Sequence, residues 1–293
     1  RNKRSLTCDI AQPEGQALIR ELVQHCDVFV ENFKVGDMAR YGLDYASLSA
    51  LNPKLVYCSV TGFGQTGPYR ERAGYDYAVQ GMGGLMSVTG ERDDLGGGPQ
   101  KVGVAVTDLF TGMYATVGIL AALRHAERTG QGQYVDMALL DTQVAMLANL
   151  GSNYLVSGKV PGRAGNAHQN IVPYQVFEVK APEGAPAGTR DHLILAVGND
   201  GQFVKFCAVA GCPELAKDPR YALNADRVRH RAGAGTAAGA RRRRLGRAKL
   251  RPAEPPRVGG DAGRPGLPGP NPGRPAGPRQ DAGHGHAVVE RQR

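Results

Sequence analysis

The chain has 293 residues, a hydrophobic fraction of 41% and no tryptophan, enough for one large domain or two ordinary ones around a buried core. Its formal net charge of +9 does not mark a nucleic-acid-binding body: residues 231–293 hold 14 Lys and Arg against 4 Asp and Glu, whereas residues 1–230 hold 22 against 23. Apolar runs break before the ~20 residues of a membrane span, and no basic-then-apolar signal segment opens the chain.

A start at Arg1 rather than Met reads as an internal start. The five cysteines (Cys8, Cys26, Cys58, Cys207 and Cys212) are scattered and lack C-x-x-C spacing. They read as reduced, buried thiols of a cytoplasm-like compartment, a bacterial cytoplasm or a mitochondrial matrix, not as disulfides or a zinc site.

In chain order, Pro13 to His25 has helical spacing, Asp27 to Val30 is a short strand, Tyr45 to Leu51 is helical and Lys54 to Val60 is a second strand. Gly67, Pro68 and the charged Arg70–Arg72 stretch form a loop, and Ala78 to Leu85 a short helix. Val102 to Val106 is β-like. The clearest helix is Leu109 to Arg128, where Leu109, Phe110, Met113, Val117, Leu120 and Leu123 recur at three- and four-residue spacing before the capping Gly130. Tyr134 to Met137 is a strand and Leu139 to Leu155 a helix. Strand character returns at Val172 to Val179 and Leu193 to Val197, followed by a helix from Gly201 to Val209. Strands alternating with helices predict an α/β fold with a mostly parallel sheet. The broken rhythm after Gly165 predicts a second, smaller domain. The divisions are residues 1–160, 161–230 and 231–293.

The last segment is foreign to the rest, with 13 Gly, 9 Pro and no Phe, Tyr, Ile or Met. Such a composition cannot offset chain entropy and reads as disordered. An arginine-rich arm for nucleic acid would interleave aromatics, which are absent here. A shifted reading frame in GC-rich DNA accounts for it better. Translating beyond the His230 codon in the other frames is expected to restore periodic helices and strands; no such frame would make the segment genuine.

Gly62-Phe63-Gly64-Gln65-Thr66-Gly67 matches G-x-G-x-x-G after a strand. A dinucleotide site needs a helix to start there, and Pro68 with a polar loop follows instead. Asp108 stands at the start of the best helix, where two roles are open: an N-cap, or a nucleophile kept ionised by the positive helix end. The histidines give no metal or triad spacing, and only His168, in a Gly/Asn-rich loop, is a candidate site residue.

Taken together, several motifs resemble the family III coenzyme A transferases (the CaiB/BaiF group, similar to formyl-CoA transferase). They are RNKRSLTCD at Arg1–Asp9, Asp27 to Phe33, LVYCSVTGFGQTGP at Leu55–Pro68, Ala73-Gly74-Tyr75-Asp76, VAVTDLFTG at Val104–Gly112 and Thr129 to Gln133. The resemblance implies a Rossmann-like large domain with a smaller one in an interlocked homodimer. It implies an acyl-CoA and a small carboxylic acid as partners, with no metal, no permanently bound cofactor, no nucleic acid and no membrane. It makes Asp108 the carboxylate that carries the acyl group and then CoA, and places Asn32, Phe33, Arg40 and Tyr75 at the CoA. In the racemase branch the Tyr75 position is a histidine acting as acid and base. A tyrosine, with a pKa near 10, serves that role poorly and favours transfer over α-methylacyl-CoA racemisation.

Ser152 to Leu155, Gly198 to Phe203 and the loop of Gly165, Asn166 and His168, read as a substrate loop, resemble the succinyl-CoA-dependent dicarboxylate branch, similar to succinate–hydroxymethylglutarate CoA-transferase. Against the family pattern an opening strand and helix and the closing part of the small domain are missing. A non-catalytic fragment, partnering a full-length paralogue, is therefore the alternative reading.

Overall fold

In the computed structural model the described residues are 3–179, 181, 183–231, 233 and 288–290. They fall into two units, one holding residues 3–165 with 288–290 and the other residues 166–233.

The first unit begins with helix α1 (Pro13–Val23), whose first position is the proline that helices tolerate there. Strand β1 (Val28–Glu31), helix α2 (Asp37–Arg40), helix α3 (Tyr45–Leu51) and strand β2 (Val56–Thr61) follow. Asp44 caps α3 by accepting from the Ser47 N–H. Strand β2 is buried over its first four residues, as a strand covered on both faces must be. Helices α4 (Asp76–Met82) and α5 (Leu85–Val88) lead to α6 (Val106–Thr129), then strand β3 (Tyr134–Ala138) and helices α7 (Leu139–Ala145) and α8 (Ala148–Ser157). Strands β1, β2 and β3 lie side by side and parallel, Val28 opposite Val56 and Tyr57 opposite Tyr134. One core joins Ile19 and Val23 of α1, Phe29 of β1, Leu48 of α3 and Tyr57 of β2.

Helix α6 starts earlier than its spacing predicts. The stretch from Val102 to Ala105 is loop, and Val106 is already helical. At its other end Gly130 has φ 76°, the left-handed conformation expected of a C-terminal glycine. The large residues that betray the helix in sequence are exposed, Leu109, Met113, Val117 and Leu120 among them. Its small side is the buried one: Thr107, Thr111, Ala115, Ala122 and Ala126. Ala122 and Ala126 pack on Val56, and small side chains let the helix approach the sheet closely. By length and composition alone α6 also reaches what a membrane crossing requires, which the interrupted apolar runs had argued against. Its place in the fold is the connection between parallel strands β2 and β3, packed on the sheet they form.

The second unit carries an antiparallel pair, β4 (Tyr174–Val179) and β5 (Asp191–Ala196), with helices α9 (Asp200–Val209) and α10 (Asn224–Arg229). Asn199 caps α9 through the Gln202 N–H. At the centre lies Arg227, fully buried. It donates to the carbonyls of Val172, Tyr221 and Ala222, pairs with Asp200 at 2.7 Å, and stacks its guanidinium 4.3 Å from the Phe203 ring centroid.

Most of the Arg/Gly/Pro-rich segment lies outside the described residues. Its described part beyond residue 233 is strand β6 (Val288–Glu290), which pairs antiparallel with Val28–Val30. The consecutive valines favour extended backbone, and the free edge of β1 offers unpaired peptide groups.

Arg227→Ala would strand three carbonyls and the Asp200 carboxylate, and is expected to cost the second unit about 3 kcal/mol. Faster amide exchange along β4 and β5 would register the loss, and unchanged protection would contradict it.

Candidate active site

A cleft of about 510 Å³ opens beyond the carboxyl ends of β1 and β2, where parallel α/β sheets place their ligands. Asn32, Phe33, Lys34 and Val35 enter it from the loop after β1. Thr61 and Gly62 come from the end of β2, and Arg70 through Asp76 from the next loop. Asp108, Thr111 and Gly112 come from the first turns of α6, and Leu139 from α7.

The loop after β2 is not a dinucleotide turn, since no helix begins before Asp76. Its first glycine has another task. Gly62 and Gly74 cross so closely that a Cβ on either would collide with the backbone of the other. That crossing brings the Arg70–Tyr75 segment over the end of β2 and forms one wall of the cleft. Arg70 and Arg72 of this wall, and Lys34 from the loop after β1, set three cations beside the carboxylates of Glu71, Asp76 and Asp108, with Arg70 paired to Glu71 at 3.5 Å; cations so placed suit a phosphate or carboxylate ligand.

Beneath the loops lies Glu31, buried at the end of β1. Its Oε2 accepts from the Phe33 N–H at 2.7 Å, and its carboxyl meets Ser59. Ser59 Oγ also accepts from Gln65 Nε2 at 2.9 Å, and the Gln65 N–H donates to Asp136. One buried carboxyl thus ties together the two loops that edge the cleft. Burial drives its pKa upward, opposed by the Ser59 and Phe33 hydrogen bonds and helped by Asp37.

Asp108 is the third residue of α6, not its N-cap. The N-cap is Ala105, which has no polar side chain to offer. Desolvation, and after it the nearby Asp76, raises the Asp108 carboxyl above the ordinary aspartate range. The sequence argument that the helix end favours the ionised form is therefore overridden by these two effects. One turn on, Thr111 Oγ1 bonds the Thr107 carbonyl and lies 2.7 Å from Thr142 Oγ1, locking α6 to α7.

The model of CoA-transferase family III matches residues 1–247. The chain belongs to that family. A succinate–glutarate CoA-transferase of Agrobacterium fabrum is 58% identical over 231 residues, 79% of this chain and 55% of that protein. A succinyl-CoA:glutarate CoA-transferase of Homo sapiens is 42% identical over 231 residues, covering 79% and 50%. The crystal structure of a CaiB/BaiF family protein from Brucella suis superposes with a TM-score of 0.64 at 51% identity, over 83% of this chain and 61% of that one. The chain spans about half the length of the curated relatives it matches.

For a family III CoA-transferase, the cleft gathers Asn32, Phe33, Tyr75 and Asp108. Arg40 is not among its lining residues; it is exposed on α2, paired with Asp37 and with the Tyr41 hydroxyl. Gly165 packs beside the Glu91 carboxylate in the first unit. Asn166 and His168 belong to the second, where the His168 ring packs tilted against Tyr174 and its Nδ1 accepts from the Asn170 N–H. Sequence reasoning missed Lys34, Arg70, Arg72, Asp76 and Glu31. The available signals were the charges packed around the Gly62 motif and an aspartate opening a helix. Among the cysteines Cys58 is fully buried, and burial pushes its thiol up to about 11, against a nucleophilic role.

Folded Glu31 holds its proton more tightly than the unfolded chain does. Its stabilising contribution is therefore complete below the ordinary glutamate pKa and is lost as pH rises through the raised one. Glu31→Gln keeps an acceptor for Phe33 without the charge. Relative to the unsubstituted chain it is expected to gain thermal stability as pH goes from acidic to neutral. Parallel melting-temperature curves would contradict this.

Proposed function

We propose that the protein transfers CoA from succinyl-CoA to a small dicarboxylic acid through an acyl and then a CoA adduct on Asp108. The carrying observation is the carboxylate of Asp108 in the first turn of α6, opening into a cleft edged by Asn32, Phe33, Lys34, Arg70 and Arg72. Similar proteins named for succinate and glutarate support the donor and the acceptor class.

In this reading an Asp108 carboxylate oxygen attacks the thioester carbonyl carbon of succinyl-CoA. The C–S bond breaks, giving a succinyl–aspartyl anhydride and CoA thiolate. The thiolate attacks the aspartyl carbonyl, expels succinate and leaves an aspartyl-CoA thioester. The acceptor carboxylate attacks that carbonyl in turn, forming a second anhydride. The returning thiolate then takes the acceptor acyl group and frees Asp108. A carboxyl with a raised pKa is a better nucleophile once ionised, and the raising groups are at hand. Lys34, Arg70 and Arg72 supply the cations for the CoA phosphates and the substrate carboxylates. Tyr75 lines the cleft where a racemase would need a group, such as histidine, that exchanges its proton near neutral pH.

Exchange of labelled succinate into succinyl-CoA reports the first half-reaction alone. It is expected in the unsubstituted chain and reduced roughly 10³-fold or more in Asp108→Ala. Undiminished exchange in Asp108→Ala, or α-proton exchange without any acceptor acid, would overturn the reading.

A further inference from the structure

The Asp76 carboxylate meets two elements at once. Its Oδ1 accepts from the Thr107 backbone N–H at 2.8 Å, one of the open donors at the start of α6. Its Oδ2 accepts from Gln80 Nε2 at 2.7 Å, and Gln80 Oε1 accepts from the Val102 N–H at 2.9 Å. Gln80 and Thr107 are both fully buried. Ala105, the N-cap of α6, makes no side-chain cap. The side chain that restrains the start of α6 therefore comes from α4, and the residue it restrains directly precedes Asp108.

We propose that Asp76, with Gln80 as its bridge, is a positioning residue for the transfer reaction. It sets the first turn of α6 so that Asp108 faces the cleft, and it keeps a second negative charge beside that carboxylate. This deepens the reading of Asp108 as acyl carrier and rests on it. Two functions meet in one group. The hydrogen bond to Thr107 fixes backbone direction, where an ångström of misplacement at a nucleophile costs about 100-fold in rate. The charge makes Asp108 more basic. Desolvation is the larger cause of the raised Asp108 carboxyl and the Asp76 charge the second; Lys34, Arg70, Glu71, Arg72 and Tyr75 line the same cleft.

The test is a ¹³C-carboxyl titration of the full chain, with Asp108 assigned as the resonance lost in Asp108→Asn, alongside succinate exchange. Asp76→Asn keeps one acceptor oxygen and removes the charge. It is expected to lower the Asp108 pKa and the exchange rate while leaving the KM for succinyl-CoA unchanged. Asp76→Ala loses both functions and should fall about 100-fold in exchange. An unchanged Asp108 titration in folded Asp76→Asn would overturn the proposal.

Gln80→Met removes the bridge and keeps the Asp76 charge. It should speed amide exchange at Val102 and Thr107 without moving the Asp108 pKa, and unchanged protection there overturns the proposal even where Asp76→Asn does not fold. A chain that exchanges no succinate with Asp108 present defeats the acyl-carrier reading, while the titration still decides the role of Asp76.

Discussion

The start of α6 is held from outside the helix. With Ala105 at the N-cap, the Thr107 N–H is satisfied by Asp76 of α4, and Val102 just upstream by Gln80 of the same helix. An open helix terminus normally takes its partners from its own preceding residue or from solvent. Borrowing them from α4 makes the direction of the Asp108 side chain depend on how α4 is placed. That placement depends in turn on the crossing of Gly62 and Gly74, which delivers the chain to Tyr75 and Asp76. Asp108, the loop of Arg70 to Tyr75 and the glycine crossing are thus one mechanical unit, anchored at the carboxyl ends of β1 and β2.

A second carboxyl does the equivalent work on the other side. Glu31 holds Phe33 directly and the Gly62 loop through Ser59 and Gln65, so both edges of the cleft are pinned to one buried group. Burying a carboxyl is costly, and here it is compensated by hydrogen bonds rather than by a cation. The arrangement favours fixed loop geometry at neutral pH over maximal stability.

Much of this architecture is legible in the sequence because it follows from local rules. The β1 and β2 strands are rich in β-branched and aromatic residues, and α6 shows its period and its Gly130 cap. What local rules missed has a common cause. The Val102–Val106 run has strand composition, but Val104 and Ala105 are consumed in turning the chain into α6, and Val106 becomes its first helical residue. Asp108 looked like the cap because an aspartate near a helix start usually is one. The true restraint on Thr107 lies 31 residues away in sequence, and no periodicity reports it. The exposed Leu109–Leu120 stripe and the buried small face show that spacing identifies a helix without saying which side packs. The basic residues divide the same way: the family resemblance pointed to Arg40, whereas tertiary folding brings Lys34, Arg70 and Arg72 to the cleft.

Everything proposed for the cleft rests on Asp108 becoming covalently acylated. The most direct probe is peptide mass spectrometry of the chain after mixing with succinyl-CoA and quenching with hydroxylamine, which converts an activated aspartyl carbonyl to a hydroxamate. A hydroxamate confined to the peptide containing Asp108, and absent when succinyl-CoA is omitted, is the expected result. An unmodified Asp108 peptide, or a hydroxamate on a different residue, would contradict it.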